Sequence, residues 1–444
     1  MKALLVERQV HRFAAARATA VLTGSGAAFG LGPLRLAEIE PPALPGAAWQ
    51  RLRPRLAGIC GSDLHTVDGA SSRYFEAIVS FPFVLGHELV ADVLDGPLEG
   101  KRVVLEPVLS CFARGIEPPC EACARGDKGG CERLAFGHLS PGLQTGFCRD
   151  TGGAFSEELV AHASQLHVVP DTLSDEQAVL VEPTACAVHA TLRAQPRPDE
   201  VVVVLGSGTL GLASIAALRA FGHARQVIAV AKHPVQQRFA RALGADSVVA
   251  PDGVTRSVRR VTGALGIEQD RRPLGRLAGG ADVVLDCVGS ADSLSQALRI
   301  VRGGGRVVLV GMPGVTRIDL APLWQREIHL VGAYAYGNEA LGDGVAQRPS
   351  FDLAFELVER ADLGRLVSAR YALGHYEEAF RHAAGAGRRG AVKVVFDLRR
   401  SPRSWQSGPA ERAGAPAPDA QGSPLPGSGP VVAPVTGAEP EESS

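Results

Sequence analysis

The stretch Gly206-Ser207-Gly208-Thr209-Leu210-Gly211 constrains the fold of this chain more than any other. It follows a run of β-branched and aliphatic residues, Val201 to Leu205, and opens a helical stretch, Leu210 to Phe221, after which Gln226 to Ala231 reads as a second strand. Strand, glycine turn, helix and strand form a βαβ unit, because parallel strands need a long crossover. In that context the first glycine permits the tight turn, the second lets the backbone approach a pyrophosphate, and the third lets helix and strand pack closely. The helix N-terminus then presents free N–H groups and a positive dipole end to phosphates. Further strand candidates at Ala281 to Cys287, Arg306 to Val310 and Ile328 to Val331 alternate with helical or loop segments. That alternation implies α/β architecture, a doubly wound parallel sheet covered on both faces.

A dinucleotide site of this kind normally carries Asp or Glu about 20 residues past the glycines, at the end of the second strand, to hold the ribose hydroxyls. Here the strand ends Ala229-Val230-Ala231-Lys232-His233, with no carboxylate. Ala231 leaves room, and Lys232, His233 and Arg238 can neutralise a 2′-phosphate, so the sequence favours NADP over NAD. The alternative is that these are solvated cations and either cofactor is accepted. Val288, just past the strand Ala281 to Cys287, is placed beside the cofactor.

The 444 residues exceed what one core usually supports, so two or more domains are expected. Residues 1–187 show short apolar runs broken by Gly and Pro, such as RVVLEPVL and FSEELVAHASQLHVVP, with little helical periodicity, and read as a β-rich domain with long loops. After Gln195-Pro196-Arg197-Pro198 the texture changes to the parallel-sheet pattern, assigned to residues 188–349. Residues 350–398 add the helix FDLAFELVERADL and a closing strand, AVKVVFDL, and 399–444 are Gly- and Pro-rich with few large apolar side chains, the composition of a disordered tail. The 46 basic and 47 acidic side chains leave a net charge of -1, which points to neither nucleic acid nor an anionic membrane. No apolar run approaches the roughly 20 residues that span a bilayer, and MKALLVERQV lacks the apolar core of a secretory signal. A cytoplasmic protein acting on a small molecule is the expectation.

Eight cysteines in a long chain without a signal favour metal over disulfides. Cys111, Cys120, Cys123 and Cys131 lie close together, in a lobe of about residues 106–135, and match a closed tetrahedral zinc site. The segment FARGIEPP between the first two is expected to loop outward, with Pro118 and Pro119 keeping the approach to Cys120 extended. A second, dispersed set comprises Cys60 in GICGSDLH, His87 and Glu88 in LGHE, and Glu182 in VEPTACAVHA. Thiolate, imidazole and carboxylate together are the mixed ligands of a zinc that keeps one position open, which brings the expectation to two zinc ions per chain.

On these residues the chain, to about residue 398, resembles the zinc-dependent medium-chain alcohol dehydrogenase superfamily. GICGSDLH, GHE, the four-cysteine lobe, VEPTACAVHA and GSGTLG occur in that family's order. Because Glu182-Pro183 stands where the liver-type enzymes place a cysteine, the likeness is to the polyol, threonine and glucose dehydrogenase branch. The resemblance implies a GroES-like β-rich catalytic domain interrupted by a Rossmann domain, and hydride transfer between NAD(P) and an alcohol, polyol or sugar. It implies Cys60 and His87 as ligands of the catalytic zinc, Glu182 as a third directly or through water, and Glu88 as a ligand that exchanges on and off. Asp63 would orient His87, Ser62 would take the substrate proton, and His65 would pass it outward. Homodimers and homotetramers are common in the family.

The lengthened cysteine lobe and the stretch Phe136 to Gly153 depart from the family's commonest pattern and imply a subgroup with its own cleft. Cys148 either lines that cleft or is a plain buried thiol. Ser71 to Phe75 is expected near the substrate, with Arg73 facing an anionic or polyhydroxylated molecule or lying on the surface. Two rival readings use the same fold: a zinc-free enone or quinone reductase, opposed by Cys60, His87 and Glu182, and a non-catalytic dinucleotide sensor, opposed by Ser62 and His65.

Overall fold

The strand Val201–Leu205, buried along its whole length, runs through the middle of a six-stranded parallel sheet. The order across the sheet is Ser247–Val249, Gln226–Val230, Val201–Leu205, Ala281–Asp286, Val301–Leu309 and His329–Gly332. Alternation along the central strand explains why the sheet must be covered twice. Val202 and Val204 join one core cluster with Leu212 and Ile215 of the helix Thr209–Ala217, whereas Val201, Val203 and Leu205 join another with Val254, Val258, Leu294 and Leu298. A wider helical turn, Leu218–Gly222, continues the Thr209 helix over the rest of the stretch read as helical. The computed structural model describes residues 1–24, 31–269, 272–342 and 346–399, so the tail expected to be disordered lies outside the described residues from 400 onward.

A second, mostly antiparallel sheet holds the other half of the cleft. Its order is Val367–Tyr371, Lys393–Asp397, Trp49–Gly58, Glu88–Val93, Arg102–Leu105 and Leu166–Val168, with Leu159–His162 also paired to Trp49–Gly58. The chain thus returns to this sheet after the parallel one, and Phe396 of the closing strand packs against Phe155 with ring centroids 4.9 Å apart. A separate three-stranded antiparallel sheet has Lys2–Val6 at its centre, between Leu34–Glu38 and Phe83–Val84.

Two features differ from expectation. The N-terminal region was read as poor in helix, yet Val10–Thr23 is a 14-residue helix between the first two strands. Its alanines have the highest intrinsic helix propensity, and Phe13 turns inward to meet Phe81 edge-on at 6.1 Å. Inside the parallel-sheet region an antiparallel hairpin, Leu265–Gln269 with Arg272–Ala278, interrupts the strand–helix alternation. Among the described residues no helix is long and apolar enough to cross a membrane.

Candidate active site and metal centres

Strand register builds the first cluster. Gly58 and Glu88 are cross-strand partners, so Cys60, two residues past one, and His87, one residue before the other, emerge at the same edge. Cys60 then caps the helix Gly61–Val67, and Asp63 turns back so that its Oδ2 accepts the Cys60 N–H at 2.8 Å. The outcome is that ligand atoms of Cys60, His87 and Glu88 lie within 4.8 Å of one another. Glu182, in the first turn of the helix Val181–Arg193, is buried close by but outside that set, and it accepts a weak hydrogen bond from Cys186 Sγ at 3.6 Å. Burial and the neighbouring Glu88 push the Glu182 carboxyl up to about 7, against the pull of His87 and Lys393.

His87 Nδ1 faces Asp63 Oδ1 at 3.5 Å, a contact longer than an ordinary hydrogen bond, so Asp63 acts on the ring chiefly through its charge, which raises the His87 pKa against its burial. Asp63 spends its other oxygen on the Cys60 backbone. Ser62 Oγ, Asp63 Oδ1, His65 Nδ1 and His87 Nδ1 are all buried without a hydrogen-bond partner. Native structures rarely leave such atoms unsatisfied, and four of them on His87 and the short helix that faces it mark a site built to receive further groups. Ser62 and His65 are three residues apart on one short helix and so share a face. Burial lowers the His65 pKa, with Arg17 adding to the effect and Asp68 opposing it, which keeps the ring a neutral proton acceptor near pH 7.

One residue of this cluster was missed by the sequence reading. Lys393, 2% exposed in the closing strand, donates from Nζ to the Ile59 carbonyl at 3.1 Å and to the carboxylate of Glu88, itself 1% exposed. Burial works against the ammonium, but the Glu88 carboxylate, with the negative charge that Cys60 and Asp63 can carry, outweighs it and raises the Lys393 pKa. The available signal was a lone lysine inside the valine-rich AVKVVFDL.

The sulfurs of Cys111, Cys120, Cys123 and Cys131 also lie within 4.8 Å of one another, and Cys111 Sγ is 3.8 Å from Cys131 Sγ. Tetrahedral sulfur ligands about 2.3 Å from a metal are about 3.8 Å apart, so the spacing fits zinc. All four are free thiols. Cys120 is drawn down to about 7 against its burial by backbone N–H groups of Cys123 and Glu132, while burial pushes Cys131 up to about 11. Four buried thiols this close together form a donor set that a divalent cation satisfies as they lose their protons.

In the segment expected to loop outward from this lobe, Phe112, Gly115, Glu117 and Pro118 are exposed, but Ala113 and Arg114 turn inward. Arg114 is fully buried and its guanidinium donates to the carbonyls of Leu109, Phe136, Leu139, Ser140 and Gly142 at 2.7–3.3 Å. Five donors in a fixed plane match five carbonyls, which is why burial is tolerated. This ties Phe136 to Gly142 to the lobe; further along the same stretch the Phe147 ring lies 6.0 Å from His87. Cys148 lies in a small core cluster with Trp49, Leu109, Leu139 and Val160. Arg73 pairs with Glu76 at 3.0 Å on the surface.

At the glycine turn Gly206 adopts φ +87°, next to Val288, and a Cβ on Gly211 would fall 1.8 Å from the Gly206 carbonyl. A Cβ on Gly208 would meet nothing within 4 Å, so the loop faces open space where a pyrophosphate fits. Ser207 Oγ donates to the Val230 carbonyl at 3.0 Å and ties the loop to the second strand, while Thr209 and Leu210 begin the helix. Ala231 is buried. Lys232 and His233, but not Arg238, line a cavity of about 370 Å³ beside Gly208; Arg238 is exposed one turn along the helix Pro234–Ala242.

Residues 46–171 match the family model described as Alcohol dehydrogenase GroES-like domain, and residues 209–348 match Zinc-binding dehydrogenase. The chain is 30% identical over 378 residues to an L-idonate 5-dehydrogenase of Vitis vinifera, covering 82% of this chain and 93% of that one. It is 31% identical over 374 residues to a sorbitol dehydrogenase of Arabidopsis thaliana, covering 81% and 92%. Among solved structures, the alcohol dehydrogenase TADH from Thermus sp. ATN1 superposes with a TM-score of 0.63 at 26% identity, over 90% of this chain and 100% of that one. Fold, glycine turn and cluster chemistry define an NAD(P)-linked oxidoreductase of alcohols. Within that class, the chain belongs to the zinc-dependent medium-chain alcohol dehydrogenase family.

Proposed function

We propose that this chain oxidises a secondary hydroxyl of a polyol, or reduces the matching ketone, with one catalytic and one structural zinc and with NADP preferred over NAD. The observation that carries the reading is the convergence of Cys60, His87 and Glu88, next in the chain to the buried, unpartnered Ser62 Oγ and His65 Nδ1. The names of the idonate and sorbitol dehydrogenases to which the chain is similar support a polyhydroxylated substrate.

Cys60 and His87 would hold the catalytic zinc, with Glu88 or Glu182 completing the set, and Cys111, Cys120, Cys123 and Cys131 would hold the structural one. When bound, the catalytic metal supplies a Lewis acid for the substrate oxygen and the nicotinamide supplies the hydride acceptor. Ser62 Oγ, free of other partners, takes the hydroxyl proton, and His65 on the same helical face passes it to solvent. Asp63 faces His87 and favours the tautomer that keeps the opposite ring nitrogen free to ligate. Lys393 holds Glu88 in place beneath the site. The β-rich segments 1–187 and 350–398 act as the catalytic domain and 188–349 as the cofactor domain, in a cytoplasmic homo-oligomer.

The test combines metal analysis with a substrate screen. Purified protein is expected to hold about two zinc ions per chain and to reduce NADP in the presence of polyols, while Cys60→Ser loses one zinc and the activity. Full zinc content and turnover in Cys60→Ser would overturn the assignment.

A further inference from the structure

The cavity beside Gly208 has walls from two distant parts of the chain. One wall carries Lys232 and His233 at the start of the helix Pro234–Ala242; the other is the turn 385–392, between the helix Tyr376–Ala384 and the closing strand. That second wall is built of small residues apart from Arg388, and among the described residues no Asp or Glu lines the cavity. The two walls touch: a Cβ on Gly387 would lie 2.2 Å from His233 Cδ2, so glycine is what lets the turn rest on the imidazole and carry Arg388 across it. Gln236 Oε1 accepts the His233 backbone N–H at 3.2 Å and pins this contact from the helix side.

We propose that Arg388 completes, with Lys232 and His233, a three-sided subsite for the 2′-phosphate of NADP. This rests on the reading that NADP is the preferred cofactor, and it adds a specificity-determining residue from outside the parallel-sheet domain. Position supports it. Gly208 fixes where the pyrophosphate approaches, and the second-strand end at Ala231, where a ribose-binding carboxylate would stand in an NAD site, opens into the cavity through its neighbour Lys232. Charge supports it as well. Burial lowers the His233 pKa, and the charges of Lys232 and Arg388 lower it further, so both cations are felt at one point. An ammonium supplies a point charge, whereas a guanidinium offers two parallel N–H donors to a phosphate, so Arg388 adds geometric selectivity that Lys232 lacks.

The test uses the full-length, zinc-loaded chain and two probes that differ only in the group at issue, 2′,5′-ADP and 5′-AMP, titrated calorimetrically at one ionic strength. Arg388→Ala is expected to weaken 2′,5′-ADP about tenfold to a hundredfold, the range for a charged hydrogen bond, and to leave 5′-AMP unchanged. Arg388→Lys is expected to recover part of the loss. Arg389→Ala, next in the chain but outside the cavity lining, should behave as the unsubstituted protein. If the unsubstituted protein prefers 2′,5′-ADP and Arg388→Ala keeps that preference intact, the assignment of Arg388 is wrong while the NADP reading stands. If the unsubstituted protein binds both probes equally, the NADP reading itself fails, and the subsite with it.

Discussion

Replacing Arg114 by methionine tests whether a buried cation, and not the metal alone, shapes the cysteine lobe. The side chain keeps its approximate volume, but five carbonyl oxygens, those of Leu109, Phe136, Leu139, Ser140 and Gly142, lose their donor. A buried acceptor left unpaired costs about 1–3 kcal/mol, so five would cost about 5–15 kcal/mol, as much as the entire stability of a typical domain. The segment will not carry that cost; it will open to water, and the penalty is bounded by the free energy of releasing it. Release is opposed by Gly142 N–H to the Leu134 carbonyl at 3.0 Å, Leu143 N–H to the Ile78 carbonyl at 2.7 Å, Ser140 N–H to Asp150 Oδ2 at 2.6 Å, His138 on the Arg114 carbonyl, and the burial of Leu139 against Trp49 and Val160. Lysine offers three donors, so Arg114→Lys leaves at least two acceptors unpaired, about 2 kcal/mol at the lower bound, or about a 30-fold rise in the opening equilibrium. Hydrogen exchange followed by mass spectrometry reads this directly, with peptides over 134–143 compared against the buried strand Val201–Leu205. Exchange should accelerate locally in the order methionine, lysine, arginine, with faster loss of the lobe's zinc to a chelator. Unchanged exchange over 134–143 in both variants would refute the reasoning, as would acceleration spread evenly over the central strand.

Ser62→Ala should lower kcat by about 10²–10⁴ with zinc content unchanged, which steady-state kinetics and metal analysis check together. Lys393→Met leaves Glu88 as an unpaired buried carboxylate and should destabilise the protein by about 3–5 kcal/mol; adding Glu88→Gln should restore more than half, as a double-mutant cycle in denaturant would show. Glu106 is buried and paired with Lys128 at 2.8 Å and with His167 at 3.1 Å, and these partners lower its pKa against its burial. A lowered carboxyl stabilises the fold above its ordinary value of about 4.3 and ceases to do so as pH falls through the folded value. The stability gap between the unsubstituted protein and Glu106→Gln, measured in urea, should therefore be constant above about pH 5 and close below it; a gap that widens on acidification contradicts the pairing.

What the sequence reveals here is what repeats locally. The parallel sheet is legible because Val201 to Leu205, the glycine turn and the helix after it lie within 22 residues, and each apolar run is long enough to show its period. The four-cysteine lobe is legible for the same reason. The helix Val10–Thr23 is not, since alanine and arginine give it propensity without a strong apolar stripe. Nothing in the sequence singles out Arg114 or Arg388, because what distinguishes them is supplied by carbonyls or cavity walls from other segments. The pairing of Cys60 with His87 follows from the register of two strands, which no spacing in the chain encodes.

Lys393 shows how far such register reaches. It meets Glu88 across 305 residues of sequence, and it can do so only because the closing strand pairs Val395 with Gly58 while Gly58 pairs with Glu88 on its other side. Gly58 is the hinge of this arrangement: a Cβ there would lie 2.3 Å from Glu88 Oε2 and 2.6 Å from Lys393 Cε, so any larger residue would separate the pair. Side chains alternate along a strand, so a slip of one residue in the closing strand would turn Lys393 to the opposite face. Glu88 would then lose its cation, and the carbonyl of Ile59, one residue from Cys60, would lose its donor. The last strand among the described residues is therefore part of the site that the first hundred residues build, and its register is fixed by the buried ion pair together with the apolar face of Val394 and Phe396.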